Sequence, residues 1–355
     1  MSLLTATTGV AGGVSIAGWG TAVPARRVTN HDLEARLDTS DQWILERTGI
    51  RERRWAAPGE STGPLAVAAA RQALDRAGLT PSEVGAVVVA TSTPDRPMPS
   101  TAAGVAAALG ITGGAFDVNA ACAGFVYGLT TAYALVETGV TRTALLVGAD
   151  VMTSIVDPED RSTAVLFGDG AGALVLTGSR GIEPGAPGLV APGLVATDLV
   201  GDPGGLDLLT IPAGGSALPA SADTVAARQH FLKMDGREVF RRAVRGVTAS
   251  VERTLARAGV TVDDVALFVP HQANARIVDA VLARTGLPAA RTCGSVDRFG
   301  NTSAASIPIA LAEAAQTGTV ARGDLVLLCG FGAGFTIGTA LWRWGTPTPP
   351  KKEAA

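Results

Sequence analysis

Three residues have side chains suited to covalent acyl chemistry, and each falls between a strand and a helix. Cys122 lies in Asn119-Ala120-Ala121-Cys122-Ala123-Gly124-Phe125, directly after the apolar run Ala115-Phe116-Asp117-Val118. A segment that reads as a buried helix follows, from Phe125 to Val136, closed by Gly139. The unpaired N–H groups of a helix N-terminus favour negative charge, so this placement predicts a thiol that loses its proton easily. Small neighbours leave room for a substrate to reach the sulfur. His271 follows the buried strand Val265 to Pro270 and opens Gln272-Ala273-Asn274, where an imidazole can act on a bound substrate. Asn301 sits in Phe299-Gly300-Asn301-Thr302-Ser303-Ala304-Ala305-Ser306, a glycine turn leading into a helix of small residues. Singly, each has a structural alternative: a cysteine filling a core gap, a core or capping histidine, an asparagine helix cap. Together, a thiolate nucleophile and two hydrogen-bond donors suit acyl transfer followed by stabilisation of an enolate. His31, beside a helix cap, and His230, before an amphipathic helix, carry no comparable signal.

An internal repeat could bring the three together. Leu74-Asp75-Arg76-Ala77-Gly78-Leu79-Thr80, leading to Val84 and Val88, matches Leu255-Ala256-Arg257-Ala258-Gly259-Val260-Thr261, leading to Val265 and Val269. A second echo pairs Leu145-Leu146-Val147-Gly148 with Leu327-Leu328-Cys329-Gly330. The spacing of the first match sets Cys122 opposite Ser303. The pattern predicts a duplicated α/β unit whose strand ends converge on a shared site. Its divisions are a flexible tail at 1–12, an N-terminal half at 13–180 with the cysteine, and a Gly/Pro-rich excursion at 181–222. A C-terminal half at 223–345 with His271 and Asn301, and a flexible tail at 346–355, complete it.

Local signals mark the elements within these halves. They predict a strand from Val14 to Gly20, a helix capped by Asn30, and a short helix opening at Thr39-Ser40-Asp41. A helix from Ser61 to Ala77 ends at Gly78, and Val84 to Thr91 reads as a buried strand. Asp235-Gly236-Arg237-Glu238 has capping-box spacing, ahead of an apolar stripe through Phe240, Ala243, Val244, Val247, Val251 and Leu255. Two glycine runs, Phe167 to Gly172 and Gly330 to Phe335, have G-x-G-x-G spacing rather than the dinucleotide pattern, and strand-like residues follow each. The second reads as close backbone approach at an active site.

Composition removes several function classes. The formal net charge of −3 gives no reason to expect nucleic acid or an anionic membrane as partner. Cys122, Cys293 and Cys329 lie far apart without metal-ligand spacing, which points to a reducing, cytoplasmic setting. No apolar run approaches the roughly 18 residues of a membrane span.

The motifs around Cys122, His271 and Asn301 resemble, in order and with their flanking glycines and alanines, those of the β-ketoacyl-acyl-carrier-protein synthase III family of thiolase-like condensing enzymes. The likeness extends over Thr39 to Ile50, Phe167 to Gly172 and Gly330 to Phe335. It implies an α/β fold, a thiolase-like αβαβα layered sandwich, and a homodimer needing no cofactor beyond its substrates, acyl-CoA and malonyl-ACP (malonyl acyl carrier protein). By resemblance, Cys122 takes the acyl group, with the N–H groups of Cys122 and Gly334 as oxyanion hole. His271 and Asn301 then hold the enolate formed when malonyl-ACP loses carbon dioxide. Trp43 and Arg161 would sandwich the adenine of CoA, and Thr39, Arg47, Gly236, Phe240 and Asn274 would line the rest of its tunnel. Met98, Met152 and Phe167 would shape the acyl pocket, and Arg241, Arg276 and Arg284 a basic lip for the carrier protein.

Two departures bear on the starter unit. Met98, in Pro97-Met98-Pro99-Ser100, falls where the family places the residue that reaches across the dimer to close the acyl pocket. Methionine is flexible, so this pocket is expected to admit chains longer than acetyl, or branched ones. The Gly/Pro-rich segment near Gly185 to Gly193 also lies outside the usual pattern. Alternatives from the same motifs are acyl transfer from cysteine to a hydroxyl or amine, and a catalytically silent partner subunit of a condensing complex. A papain-like peptidase also uses Cys, His and Asn, but the duplicated α/β pattern does not suit it.

Overall fold

The structure, a computed structural model, describes residues 13–178 and 191–345. Two sheets form its frame. The first has the order Val14–Ala22, Asp169–Gly178, Thr143–Val151, Ala86–Ala90, Gly114–Val118. Its last three strands run parallel and its first two antiparallel. The second sheet repeats this as Val265–Pro270, Leu325–Gly332, Thr336–Arg343, Gly193–Gly201, again with the first two strands parallel and the others antiparallel. At the position matching Gly114–Val118, the second sheet has only a single parallel bridge, Phe268 to Thr292.

Strand periodicity sorts side chains into layers. In the first sheet Val88 and Leu146 face inward, towards the helices Gly124–Glu137 and Ser306–Gln316 and the inner face of the second sheet. Val87, Val89, Leu145 and Val147 face the outer helices Thr62–Ala77 and Thr101–Leu109. The second sheet uses its outer face in the same way against the helices Gly236–Ala258 and Ala275–Thr285. The two inner helices are enclosed by both sheets, which is why Ser306–Gln316 is apolar almost all round and nearly wholly buried. The result is five layers, αβαβα. No helix among the described residues is long and apolar enough to cross a membrane.

The repeat read from the sequence is visible in backbone detail. Gly78 and Gly259 close their helices in the same left-handed conformation, each N–H reaching the carbonyls three and four residues back. Thr80 and Thr261 then form matching capping boxes with Glu83 and Asp264. At the site the register slips by one residue. Ala121 and Ser303 both have positive φ, 48° and 50°, and open the short turns Ala121–Ala123 and Ser303–Ala305 ahead of the inner helices. Each turn is held by an asparagine two residues earlier, the Asn119 Oδ1 accepting from Ala121 N–H (3.2 Å) and the Asn301 Oδ1 from Ser303 N–H (2.9 Å). The structural counterpart of Cys122 is therefore Ala304, not Ser303.

Other local expectations are corrected in the same way. Thr29, not Asn30, caps the first helix; Asn30 is buried and donates to Asp41 and to the Ile50 carbonyl. The strand expected from Val84 to Thr91 narrows to Ala86–Ala90, and Thr138 rather than Gly139 caps Gly124–Glu137. Asp235 accepts from Glu238 N–H, but the Glu238 carboxylate turns outward to Arg241 and Arg242 instead of closing the box. Within the expected excursion at 181–222, Gly193–Gly201 is a nine-residue strand at the edge of the second sheet. The tails at 1–12 and 346–355, and residues 181–190 of the Gly/Pro-rich excursion, lie outside the described residues.

Candidate active site

Cys122 stands at the end of the first sheet's parallel strands, in the turn ahead of Gly124–Glu137. His271 follows the parallel strand Val265–Pro270, and Asn301 precedes the turn into Ser306–Gln316. Substrates of α/β sheets bind at such carboxyl ends. All three line one cavity of about 430 Å³, together with Trp43, Arg47, Gly236, Phe240 and Asn274. A second cavity of about 470 Å³ also reaches Cys122 and is lined by Met152, Ile155, Phe167, Leu209, Ile211 and Gly334. Cys122, Phe167 and Leu209 belong to both cavities. The cysteine is thus a point where a polar-mouthed tunnel meets a second chamber, lined by Ser92, Thr210, Ser303 and Thr336 as well as by apolar side chains.

The glycine run Gly330 to Phe335 makes this approach possible. A Cβ on Gly332 would stand 2.5 Å from the Cys122 backbone nitrogen, and one on Gly330 would stand 3.0 Å from Ala123 Cα. The strand backbone presses directly onto the nucleophile turn, as the second run predicted. Gly334, at φ 120°, follows in the chamber wall, and its N–H has no acceptor among the described residues.

The thiol itself departs from expectation. Burial pushes Cys122 up to about 12, and the nearby Asp150 adds to the rise, so the free protein holds a thiol rather than a ready thiolate. Cys122 is only 6 % exposed, so the loss of water around the thiol opposes the helix N-terminus. Burial likewise lowers His271 to about 3, leaving its ring neutral. The His271 backbone N–H donates to the Cys329 carbonyl (2.7 Å), and its ring meets Phe331 edge-on at 5.2 Å. Nδ1 lies 2.7 Å from Ser306 Oγ, whereas Nε2 is buried without a partner among the described residues. Asn301 is held by its backbone between Leu166 and Gly168, and its Oδ1 is used by Ser303 N–H. Its Nδ2 therefore remains available to the cavity. One thiol and two neutral donors on a shared wall can bind, polarise and attack a thioester.

Several supporting residues escaped the sequence reading. Gln272 saturates its amide, donating to the Pro270 and Cys293 carbonyls and accepting from Ser295 N–H and Val296 N–H. Asp150 accepts from Thr91, Ser92, Thr93 and Ala304 N–H beneath the turns, and Ser303 Oγ lies near both Cys122 and Asp150 without a well-formed bond. Arg237 also lines the tunnel. A polar residue at a strand end is the only hint that the sequence offers for Asp150.

The peripheral residues divide. Arg161 and Trp43 are adjacent, but the guanidinium lies directly on the indole at 4.9 Å and donates to the Asp38 carbonyl. A base can enter between them only if they part. Thr39 precedes the Ser40 cap and lies outside the tunnel lining. Met152 and Phe167 are buried in the chamber, whereas Met98 is 85 % exposed and touches neither cavity of its own chain. Arg241 is exposed but paired with Glu238; Arg276 lies over Phe240 at 5.9 Å, and Arg284 is exposed further along the same helix.

Comparisons with known proteins agree with this geometry. Residues 116–188 match the model of 3-oxoacyl-[acyl-carrier-protein (ACP)] synthase III, and residues 255–344 match that family's C-terminal model. The chain is 48% identical to the β-ketoacyl-[acyl-carrier-protein] synthase III of Roseiflexus castenholzii over 93% of this chain and 98% of the relative. It is 48% identical to that of Symbiobacterium thermophilum, over 94% and 98%. The crystal structure of the Thermus thermophilus synthase superposes with a TM-score of 0.84 at 45% identity, covering 93% of this chain and 99% of that one. The priming β-ketosynthase of the R1128 polyketide pathway superposes at 0.85 and 38% identity, covering 95% and 97%. With motifs, layers and cavity in agreement, the chain belongs to the β-ketoacyl-[acyl-carrier-protein] synthase III family of thiolase-fold condensing enzymes.

Proposed function

We propose that the chain joins an acyl-CoA starter to malonyl-ACP by decarboxylating Claisen condensation, through an acyl-Cys122 intermediate, and releases a β-ketoacyl-ACP. The observation that carries this reading is the shared wall of Cys122, the neutral His271 with its unpartnered Nε2, and Asn301 with its free Nδ2. In the first half-reaction the sulfur attacks the thioester carbonyl, CoA leaves, and the proton lost by Cys122 is balanced by the departing thiol. The N–H groups of Cys122 and Gly334 receive the oxyanion. The product is an uncharged thioester, which suits a site that disfavours a thiolate.

In the second half-reaction the bond to the malonyl carboxylate breaks. Its electron pair passes into the thioester enolate, whose oxygen is held by His271 and Asn301. The enolate carbon attacks acyl-Cys122 and expels the thiolate, which regains a proton. Neutral donors suit this step because they hold developing charge without a buried cation.

Trp43, Arg47, Gly236, Phe240 and Asn274 lead the pantetheine arm to the sulfur, with Arg161 and Thr39 at the outer end. Arg276 and Arg284 receive the acidic carrier protein, and Arg241 contributes less because Glu238 already neutralises it. The chamber around Met152, Phe167, Leu209 and Ile211 takes the acyl chain and favours starters longer than acetyl. Two copies pair along the strand Gly114–Val118, an exposed sheet edge where Phe116 is 38 % exposed, and this brings Met98 of each copy to the other. The pathway served is fatty-acid or polyketide initiation in the cytoplasm. Incubation with a panel of acyl-CoAs and intact-mass measurement tests the first step: an acyl adduct on Cys122 is expected, and none with any member would overturn the reading. Ester formation without carbon dioxide release would overturn the second step.

A further inference from the structure

Ser306 has no role in the reading above, yet among the described residues it is the only polar group that hydrogen-bonds to the His271 ring. Its hydroxyl is 2.7 Å from His271 Nδ1 and 3.3 Å from the Gln272 backbone nitrogen. The residue is 1% exposed, so water does not compete for it. Gln272 N–H can only donate, so Ser306 Oγ accepts from it. The hydroxyl proton then needs an acceptor of its own. Serine in a helix ordinarily donates to a carbonyl one turn back, as Thr48, Thr254 and Thr317 do in this protein. Ser306 makes no such bond among the described residues, and His271 Nδ1 is the one acceptor in reach.

We infer that Ser306 is a positioning residue: its hydroxyl donates to His271 Nδ1 and so holds the ring as the tautomer with its proton on Nε2, aimed into the cavity. The opposite arrangement gives Oγ two donors and leaves a buried hydroxyl proton unpaired. It also leaves Nε2 as a bare acceptor facing the enolate oxygen, where it repels instead of stabilising. Because the ring is neutral, its tautomer alone decides which of these holds. Gln272, with its amide fully used, fixes the backbone N–H that orients the hydroxyl.

The inference rests on the proposed enolate role of His271, but its first test needs no substrate. Nitrogen NMR of ¹⁵N-histidine-labelled protein separates protonated from bare ring nitrogens, and the chain has only three histidines, so loss of one set in His271→Gln assigns the signal. The wild-type spectrum is expected to show Nε2 protonated and Nδ1 bare; the reverse overturns the inference, whatever the enzyme does. Ser306→Ala is expected to slow malonyl-thioester decarboxylation by about tenfold or more, since one oxyanion donor is worth about 10²–10³ and this variant misorients the donor without removing it. Acylation of Cys122 is expected at the wild-type rate. Unchanged decarboxylation, or equal loss of both half-reactions, overturns it. If Ser306→Ala does not fold, the wild-type spectrum still decides.

Discussion

In the proposed reaction Cys122, His271 and Asn301 do different work in each half-reaction, and single-turnover measurements separate them. Cys122→Ala is expected to abolish acylation. His271→Ala and Asn301→Ala should acylate normally and lose about 10²–10³ in malonyl decarboxylation, the usual worth of one oxyanion donor. Loss of acylation in Asn301→Ala would contradict its role. The raised thiol gives a second test with a definite sign. Because burial holds Cys122 at about 12, its charged fraction grows throughout the accessible range. Alkylation of the Cys122 peptide in the free protein should rise about tenfold per pH unit from about pH 7 to 9 without a plateau. A plateau below about pH 8 would mean that the helix N-terminus dominates after all. His271, lowered to about 3, stays neutral above that value, so decarboxylation should show no inflection near its ordinary 6.5.

At the scale of elements, the reactive geometry comes from three backbone segments forced against one another. Asn119 and Asn301 build the same turn, yet only the first precedes a thiol and only the second lines the cavity shared by Cys122 and His271. Asn301 is thus both the cap-like residue of its structural reading and a donor, because one side-chain amide has two ends. Gly332 fits more tightly than Gly330 against the nucleophile turn. Gly332→Ala places a methyl 2.5 Å from a backbone nitrogen that cannot rotate away. Expected are a stability loss of about 1–3 kcal/mol in denaturant titration and at least about tenfold slower acylation. Acylation at the wild-type rate would show that the turn yields freely.

On the scale of the molecule, the exposed edge Gly114–Val118 predicts that the protein sediments as a dimer and that Phe116→Glu shifts it towards monomer. A wild-type monomer at micromolar concentration would sink that pairing. Much of this architecture was legible beforehand, because helix caps, apolar runs and repeated helix–turn–strand units are local signals in the chain. The sequence by itself determined the candidate set of Cys122, His271 and Asn301, their strand-to-helix placement and the two-fold internal pattern. It could not reveal the one-residue slip that pairs Cys122 with Ala304, since register is fixed by turn backbone rather than residue type. Nor could it reveal that the cysteine is held as a thiol. That depends on how much water the surrounding layers remove, and the helix-start argument alone points the other way. Ser306 was quoted within its motif but reads as one small helix residue among several. Only the packing of Ser306–Gln316 between the two sheets sets its hydroxyl against His271, and there the loss of water makes a single proton's position matter.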